Sequence, residues 1–558
     1  MAPDTTHVAE LRARAESWLA DDPDPLTRTE LRTVIDRLPA SAAELADRLA
    51  GPLRFGTAGL RGVLRAGPNG MNLAVVTRAA AGLVDWLAGR DAAGPLVIGY
   101  DARHGSAAFA AQTARVATGA GREALLLPGP LPTPVLAYAV RALDAAAGVM
   151  VTASHNPPQD NGYKVYLGAG LGGPGGAGAQ IVSPVDAQIE AAIQRVGPPS
   201  AVPLGGPGRV LGPELLTSYL DGAAAVVDPT GARQLTVAYT ALHGVGAAVL
   251  LAAFTRAGFA APTVVAEQAE PDPDFPTVPF PNPEEPGAVD RLLGLAASAG
   301  ADLAIANDPD ADRCAVAVPV PGPGAGAGGW RMLHGDEVGV LLADHLMRRG
   351  VSGTFAATVV SSALLRALCA ARNRPYGETL TGFKWIVRAA DDLAYGYEEA
   401  LGYCVAPGHV RDKDGITAAL LVAELAAGLK AEGRTLTDRL DELAAEFGVH
   451  ATDQLAVRVD GIDEIATTMA RVRAKPPQTL LDEPVTGVED RLPDADVLVI
   501  RTGNARVVVR PSGTEPKLKA YLEVVEPVVE GDVAAARERA AATVRALRTE
   551  TAAALGIW

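Results

Sequence analysis

Three aspartates at alternate positions, Asp308, Asp310 and Asp312, have a spacing that indicates metal chemistry. Carboxylates this close repel one another unless a cation shares them, and hard oxygen ligands select Mg²⁺ or Ca²⁺. A calcium loop beginning at Asp308 would need glycine at its sixth position and glutamate at its twelfth, where the chain has Arg313 and Pro319. The spacing therefore predicts a magnesium site.

Ser154 follows a short apolar stretch, residues 147 to 151, that suits a buried strand. Loops at the carboxyl ends of such strands are free of packing duties, so Ser154 is expected on an exposed loop beside His155. A turn at residues 161 and 162 is expected to return Lys164 to the same neighbourhood. A plain surface turn, in which serine and asparagine bind their own backbone, is the alternative.

The segment from Arg510 to Pro516 combines a guanidinium, two hydroxyls and a glycine directly after a β-branched strand. Such a loop can aim backbone N–H groups at one centre and bind a phosphate. Its expected phosphate ligands are Arg510, Ser512, Gly513 and Thr514, with Lys519 nearby.

Two anion sites of different kinds indicate a substrate that keeps one phosphate while it exchanges another. A serine beside a metal triad is equipped for phosphoryl transfer, whereas the metal-free loop at Arg510 can only hold a phosphate. Glu398 and Glu399 are acceptors suited to sugar hydroxyls. This logic is that of a mutase, in which phospho-Ser154 phosphorylates a free hydroxyl, the bisphosphorylated sugar turns over, and its other phosphate returns to Ser154. Mg²⁺ would bridge the phosphoserine and the aspartates.

Six motifs occur in an order that resembles the signature of the α-D-phosphohexomutases, the superfamily that contains phosphoglucomutases and phosphomannomutases. They are FGTAGLRG at 55–62, TASHNP at 152–157, DPDADR at 308–313, GFKWI at 382–386, the Glu398–Glu399 pair and RPSGTEP at 510–516.

The resemblance implies an α/β fold: three similar layered α/β domains plus a smaller C-terminal α+β domain, around a central cleft. The expected domains are residues 1–220, with an N-terminal arm and the phosphoserine loop, 221–333 with the metal loop, 334–450 with the sugar-recognition loop, and 451–558 with the phosphate-binding loop. The implied activity interconverts glucose or mannose 1-phosphate and 6-phosphate, with Mg²⁺ and a sugar bisphosphate as primer.

The resemblance also assigns roles to residues that spacing alone does not. Arg61 would contact the substrate phosphate, and Ser154 would join the metal ligands. His155 and Lys413 are both acid/base candidates, and Lys164 belongs to the same centre. The further substrate-binding candidates are Arg313, Lys384, Arg411 and His243, the last with a structural role as the alternative.

The sugar preference stays open because the chain has Ala400 where many relatives have serine after the glutamates. A phosphopentomutase-type branch shows a similar Glu-Glu-Ala, so ribose or deoxyribose phosphate is an alternative substrate.

Two other classes of protein are alternatives to a mutase. A phosphoserine-dependent phosphatase would share the metal site without needing the Arg510 loop. A catalytically silent sensor would be expected to lose Ser154 or an aspartate.

Composition narrows the class of protein. A chain of 558 residues with 48% hydrophobic residues is expected to fold as three or four domains. The formal charge of −16 argues against a nucleic-acid or anionic-membrane partner. Three irregularly spaced cysteines suit reduced thiols, and the N-terminus lacks an apolar signal segment, so a cytoplasmic location is expected. The oligomeric state is left open.

Hydrophobic patterning predicts the elements that position these residues. Residues 8–49 are expected to form a helical arm, and βα alternation follows from residue 72 to Ser154. Further strands are expected at 235–239, 302–306, 314–318 and 355–361, and a helix at 416–430. Beyond residue 451, strands at 455–459, 497–500, 506–510 and 518–525 suggest a small antiparallel sheet. The Gly/Pro-rich segments 168–179 and 321–329 are expected to be flexible insertions.

Overall fold

A computed structural model describes residues 5–56, 59–320, 329–458, 462–511 and 517–556. Three helices form the N-terminal arm: α1 Thr5–Asp21, α2 Pro25–Asp36 and α3 Ala42–Arg48. They bury a small apolar core of their own, which includes Leu11, Leu31 and Leu45. Asp24 caps α2 because its side chain accepts a hydrogen bond from the Leu26 N–H.

The first α/β unit is built on a seven-stranded sheet whose strand order is β1-β5-β4-β2-β3-β7, with β6 paired to β5. Its strands are β1 Leu60–Val63, β2 Leu96–Tyr100, β3 Ala124–Leu126, β4 Ala147–Val151, β5 Asp160–Leu167, β6 Ala179–Gln180 and β7 Arg209–Val210. Its helices are α4 Leu73–Ala88, α5 Ser106–Gly119, α6 Thr133–Ala142, α7 Ala169–Gly176, α8 Val185–Arg195 and α9 Glu214–Ala224. Strand β2 runs parallel to β3 and β4, so the loops after these strands lie at one edge of the sheet.

The second and third units repeat this layered plan with sheets of order β12-β11-β10-β8-β9 and β14-β13-β15-β16. The second contains β8 Val237–Thr240, α10 Gly246–Arg256, β9 Thr263–Val264, α11 Asp290–Ser298, β10 Leu303–Ala306, β11 Ala315–Pro319 and β12 Trp330–Met332. The third contains α12 Gly335–Arg348, β13 Thr354–Thr358, α13 Leu364–Ala371, β14 Tyr376–Thr379, α14 Phe383–Ile386, β15 Leu393–Glu398, β16 Gly402–Cys404, α15 Gly415–Ala431 and α16 Leu436–Phe447.

The last unit has a different architecture, an antiparallel five-stranded sheet of order β17-β23-β22-β21-β20. It comprises β17 Val449–Arg458, α17 Ile462–Ala474, β18 Thr479–Leu480, β19 Glu483–Pro484, β20 Gly487–Asp490, β21 Leu498–Arg501, β22 Ala505–Pro511, β23 Lys517–Glu526 and α18 Val533–Leu555. Three α/β units and a distinct C-terminal unit confirm the predicted fold class. Strand β17 begins at Val449 rather than near 455 because it pairs with β23 along its whole length.

Helix α15 lies at the centre of the largest apolar core. Its residues from Ile416 to Leu425 are all buried and, apart from Thr417 and Glu424, apolar, and the same core includes residues of α6, α10 and α12. A helix that is apolar all round is stable only when it is enclosed in this way. Asp414 starts the helix by accepting hydrogen bonds from the N–H groups of Ile416 and Thr417. In the part of the chain that the structure describes, no helix is long and apolar enough to cross a bilayer.

Several local predictions are wrong. Residues 168–179 are not a flexible insertion, since they form α7 and β6 and the Gly175 carbonyl accepts a hydrogen bond from Arg411. Residues 161 and 162 lie inside β5, and the chain turns at 154–159 instead. Arg61 lies in β1, opposite Gly162, rather than on an exposed bend. Of the second predicted insertion, residues 321–328 lie outside the described residues.

Candidate active site

The three aspartates occupy the turn between β10 and β11, at the carboxyl end of β10. Ala311 takes a left-handed backbone conformation, φ 53°, and its N–H donates to the Asp308 carbonyl at 2.8 Å. This tight turn brings carboxylate oxygens of Asp308, Asp310 and Asp312 within 4.8 Å of one another. All three side chains are buried.

Lysines from two other units offset the charge of this cluster. Lys164 Nζ lies 2.9 Å from Asp310 Oδ2 and 3.4 Å from Asp312 Oδ2, and Lys413 Nζ lies 3.3 Å from Asp312 Oδ2. Burial opposes ionisation of Asp310, but the charge of Lys164 together with hydrogen bonds from Asp308, Lys164 and Thr133 outweighs it and lowers the pKa of that carboxyl. Burial and the neighbouring Asp310 raise the pKa of Asp308 well above its ordinary value. The sequence suggested that a metal ion alone would offset these carboxylate charges. Lys164 and Lys413 also supply positive charge here.

The cluster nevertheless fits a hard divalent cation. Oδ1 of Asp310 and Oδ1 of Asp312 are buried and have no hydrogen-bond partner within the described ranges. Unpaired buried carboxylate oxygens are costly unless something binds them. Oxygen-only ligands at this spacing suit Mg²⁺ better than softer metals.

Ser154 lies against this cluster. Its hydroxyl donates to Asp308 Oδ2 at 2.7 Å, and its Oγ is 3.2 Å from His155 Nδ1. The residue is buried, with 3% of its surface exposed, and it has a left-handed φ of 52°. The prediction of an exposed loop is wrong, because residues of the second unit cover the end of the first sheet.

Two further predicted residues lie at the same loop. Burial, together with Arg313 and Arg61, lowers the pKa of His155 well below its ordinary value, so its imidazole is neutral near pH 7. Arg61 Nη1 donates to Asn156 Oδ1 at 3.1 Å, and burial lowers the pKa of this guanidinium. The sheet thus brings Arg61, Ser154, His155 and Lys164 together.

Sequence reasoning missed Thr133, which joins the first unit to the metal loop. Its N–H donates to the Asp310 carbonyl at 2.9 Å, and its hydroxyl donates to Asp310 Oδ2 at 2.7 Å. Thr133 begins α6 after β3, whose end is adjacent to that of β2. The sequence feature that could have identified Thr133 is the Thr133-Pro134 pair, which begins a helix after a strand.

Burial raises the pKa of both glutamates of the pair, Glu398 and Glu399. Burial raises the pKa of Glu399 to about 8, so that this carboxyl is largely protonated near pH 7. The hydroxyls of Thr358 and Ser361 lie 3.3 and 3.4 Å from Glu399 Oε2. Burial also raises the pKa of Glu398, although Lys413 and Arg313 oppose the shift. Glu399 can therefore donate as well as accept hydrogen bonds, whereas acceptors alone were expected.

Three other predicted residues are Arg411, His243 and Lys384. Arg411 is buried, and its Nε donates to the carbonyls of Gly175 and Val387 at 3.2 and 3.1 Å, where it joins the first and third units. His243 is buried with Nε2 2.8 Å from Thr277 Oγ1, which suits the structural alternative. Lys384 lies in α14, and burial lowers its pKa to about 8.

A second group of cations lies on the C-terminal sheet. Arg510 in β22 pairs in register with Lys519 in β23. Burial and the neighbouring Arg510 lower the pKa of Lys519, while Glu399 and Glu284 oppose the shift. Glu284 also lies 3.5 Å from Arg313 Nη1, and sequence reasoning did not identify it. Ser512, Gly513 and Thr514 lie outside the described residues.

A buried serine beside a carboxylate triad, with a separate cationic pair on another unit, is an arrangement suited to phosphoryl transfer. Four domain models of one family match the chain: the phosphoglucomutase/phosphomannomutase domains I, II and III at residues 52–199, 217–322 and 334–447, and the C-terminal domain at 413–540. The chain therefore belongs to the phosphoglucomutase/phosphomannomutase family of phosphosugar mutases, within the α-D-phosphohexomutase superfamily.

Individual relatives agree with this membership. The chain is 46% identical over 462 residues to a Haemophilus influenzae protein named "Probable phosphomannomutase", covering 81% of this chain and 93% of the relative. It is 32% identical over 586 residues to the mouse phosphopentomutase, covering 93% and 91%. A Thermus thermophilus crystal structure of a protein named "putative phosphomannomutase" superposes with a TM-score of 0.70 at 28% identity, covering 90% of this chain and 99% of that one.

Proposed function

We propose that this mutase interconverts hexose 1-phosphates and hexose 6-phosphates of glucose or mannose and carries the phosphoryl group on Ser154. The observation that supports this most directly is the 2.7 Å contact between the Ser154 hydroxyl and Asp308, inside a carboxylate cluster whose buried Oδ1 atoms of Asp310 and Asp312 have no hydrogen-bond partner among the described residues. A serine that only stabilised the fold would need no such cluster.

Asp308, Asp310, Asp312 and Ser154 would hold Mg²⁺, which when bound supplies charge neutralisation for the phosphoryl group. Lys164, Lys413 and Arg313 add fixed positive charge around the same oxygens. In the transfer, the bond between phosphorus and Ser154 Oγ breaks, a bond to the sugar oxygen forms, and the proton of the sugar hydroxyl is balanced by one taken up at Ser154 Oγ. In the return step Ser154 Oγ attacks the other phosphate of the bisphosphorylated sugar, the bond between that phosphorus and its sugar oxygen breaks, and the proton lost by Ser154 is balanced by one taken up at the released sugar oxygen.

His155 is the better proton acceptor for Ser154 of the two acid/base candidates. Its imidazole is neutral near pH 7, and its Nδ1 lies 3.2 Å from Ser154 Oγ. Asp312, Asp412 and Glu398 outweigh the effect of burial on Lys413 and raise the pKa of its ammonium, which keeps it charged. Lys413 would therefore act as a counter-charge in this step.

Substrate recognition would be divided between the third and fourth units. Arg510 and Lys519 would hold the phosphate that does not react, together with Ser512, Gly513 and Thr514. Glu398 and Glu399 would bind sugar hydroxyls. A sugar bisphosphate would prime the enzyme by phosphorylating Ser154, and we place the enzyme in the cytoplasm, where its three buried, unpaired cysteines would stay reduced.

Phosphopentomutase activity is the second candidate, favoured by Ala400 after the glutamate pair and by the 32% identity to the mouse phosphopentomutase. Initial rates with glucose 1-phosphate, mannose 1-phosphate and ribose 1-phosphate, measured side by side, separate the two. A hexose preference requires the highest kcat/KM with glucose or mannose 1-phosphate.

Ser154→Ala tests the phosphoryl carrier. Intact-protein mass after incubation with glucose 1,6-bisphosphate should increase by one phosphate in the wild type and should not change in the variant. Ser218→Ala is a matched control, because Ser218 belongs to the same unit and its Oγ lies 2.6 Å from the Tyr138 hydroxyl, with no contact to the serine loop among the described residues. Phosphate that still appears on Ser154→Ala would disprove the assignment.

A further inference from the structure

Ser154 is held in a backbone conformation that serine does not favour. Its φ of 52° is left-handed, and this conformation brings the Cβ of an L-residue too close to the following carbonyl oxygen. The residues that follow include two prolines, Pro157 and Pro158, which have no N–H and cannot contribute donors to the loop. The Asp160 N–H donates to the Pro157 carbonyl at 3.1 Å, but the loop has few N–H donors of its own, so further donors for its carbonyl groups come from elsewhere.

Arg103 supplies those donors. Its Nη2 donates to the carbonyls of Ser154 and Asn156, both at 2.5 Å, and its Nη1 donates to the carbonyls of Pro157 and Asp160 at 2.8 and 3.2 Å. The serine loop therefore wraps around a single planar guanidinium. Lysine cannot reproduce this arrangement, because its donors radiate from one nitrogen.

The position of Arg103 follows from the sheet. Asp101 and Arg103 come directly after β2, and β2 runs parallel to β4, with Tyr100 opposite Val151. Loops after adjacent parallel strands lie side by side, so Arg103 is delivered beneath the loop that follows β4.

Arg103 is itself fixed on two sides. Asp101 Oδ1 accepts the Arg103 N–H at 3.0 Å, and Asp101 Oδ2 lies 3.4 Å from Arg103 Nε. The guanidinium carbon lies 4.9 Å from the ring centroid of Phe275, which belongs to the second unit. The Arg103 side chain is 1% exposed, so it cannot contact a sugar phosphate.

We infer that Arg103 is a positioning residue for phosphoryl transfer, which holds Ser154 in its left-handed conformation and so aims its Oγ at the carboxylate cluster. The inference rests on the proposed role of Ser154. It concerns the transfer step and not substrate binding, because the proposed sugar and phosphate contacts lie on the third and fourth units.

Arg103→Lys in the full chain tests the inference. A displacement of about 1 Å at a reacting atom costs on the order of 100-fold in rate. We expect kcat with glucose 1-phosphate to decrease about 10-fold to 100-fold while KM stays within about twofold. The rate at which glucose 1,6-bisphosphate phosphorylates Ser154, followed by intact mass and peptide mapping, should decrease in parallel.

Arg122→Lys is the matched control. Arg122 lies in the same unit, and its guanidinium likewise donates to backbone carbonyls, those of Ala92 and Gly94 at 3.1 and 2.7 Å. This variant should keep the wild-type kcat. Equal decreases in kcat for the two lysine variants, or a wild-type kcat in Arg103→Lys, would overturn the inference.

Phe275→Leu provides a second route if Arg103→Lys does not fold. It keeps the guanidinium and removes only the ring against it, so kcat should decrease about twofold to fivefold with KM unchanged. An unchanged kcat in this variant would then contradict the positioning role of Arg103.

The labelling experiment separates failure of the inference from failure of the proposed function. If the wild-type protein carries its phosphate on a residue other than Ser154, the proposed function fails. If Ser154 is labelled and Arg103→Lys is labelled at the wild-type rate, only the positioning role fails.

Discussion

The charge balance of the aspartate cluster is set by individual residues from distant parts of the chain. Lys164 comes from β5 and Lys413 from the loop before α15, and both ammonium groups contact carboxylates of the loop after β10. Buried carboxylates of this kind are stable only when they are paired. Each lysine therefore supports the fold as well as the site.

Replacing Lys164 by methionine tests how much its ammonium group stabilises the buried carboxylates. Removing one partner of a buried ion pair costs roughly 3–5 kcal/mol, so we expect a lower free energy of unfolding by about that amount without divalent ions, and partial recovery in excess Mg²⁺. Lys430→Met is the control, because Lys430 pairs with Asp302 at 2.6 Å at the surface, where about 0–1 kcal/mol is expected. Denaturant unfolding with and without Mg²⁺ measures both. Similar losses in the two variants would contradict this account.

The sequence predicted the types of groups at the site better than their surroundings. The alternate spacing of the three aspartates and the serine after a strand are local patterns. The three carboxylates lie together, and Ser154 lies beside His155, as the sequence predicted. The protonation of Glu399 and the carbonyl contacts of Arg411 could not be predicted, because both depend on burial by residues far away in the sequence. Arg103 is absent from the predicted residues for the same reason.

At the scale of elements, the site is assembled from the ends of strands and the start of one helix. Ser154 follows β4, the aspartates follow β10, and Thr133 begins α6. Thr133 makes two hydrogen bonds to Asp310, so α6 fixes the metal loop of one unit to the sheet of another. The patterning located these elements within a few residues, but it could not show that α6 reaches across to a second unit.

Thr133→Val keeps the shape of the side chain and removes the hydroxyl. Loss of a contact to a metal-binding carboxylate commonly weakens metal affinity about 10-fold to 100-fold, so the Mg²⁺ concentration for half-maximal activity should increase by that factor. Thr113→Val is the control, since the Thr113 hydroxyl is likewise buried but donates to the Phe109 carbonyl within α5. A shift of the Mg²⁺ requirement in both variants would indicate a general loss of stability instead.

At the scale of the whole molecule, the C-terminal unit is joined to the third unit by a buried carboxylate. Glu523 in β23 accepts from the Ser362 hydroxyl at 2.6 Å and the Ala363 N–H at 2.8 Å, just before α13. Arg506 Nη2 and His450 Nδ1 lie 2.8 and 3.0 Å from its oxygens. Burial alone would raise the pKa of Glu523, but Arg506 and His450 outweigh it and lower it to about 2.

The lowered pKa gives this junction a defined sensitivity to acid. A carboxyl whose pKa falls from 4.5 to about 2 on folding stabilises the folded state above pH 4.5, and this contribution disappears as the pH falls toward 2. Glu523→Gln should therefore be less stable than wild type by about 3–5 kcal/mol at pH 7, and the difference should shrink between pH 4.5 and 2.

Urea unfolding across this pH range measures the difference. Glu489→Gln, at a partly exposed carboxylate that pairs with Arg501 at 3.2 Å, should change stability by no more than about 1 kcal/mol. A difference between Glu523→Gln and wild type that stays constant down to pH 2 would show that Glu523 does not titrate as described.

The hydrogen bond between Ser154 and Asp308 joins residues 154 positions apart, and Lys413 contacts the same cluster from still further along the chain. Domains generally fold in order as the chain leaves the ribosome, the N-terminal one first. A nascent chain that has just completed its first α/β unit therefore has its serine loop in place but neither the carboxylates nor the second lysine beside it. The complete cluster of Ser154, the three aspartates and both lysines therefore cannot form until synthesis has passed Lys413.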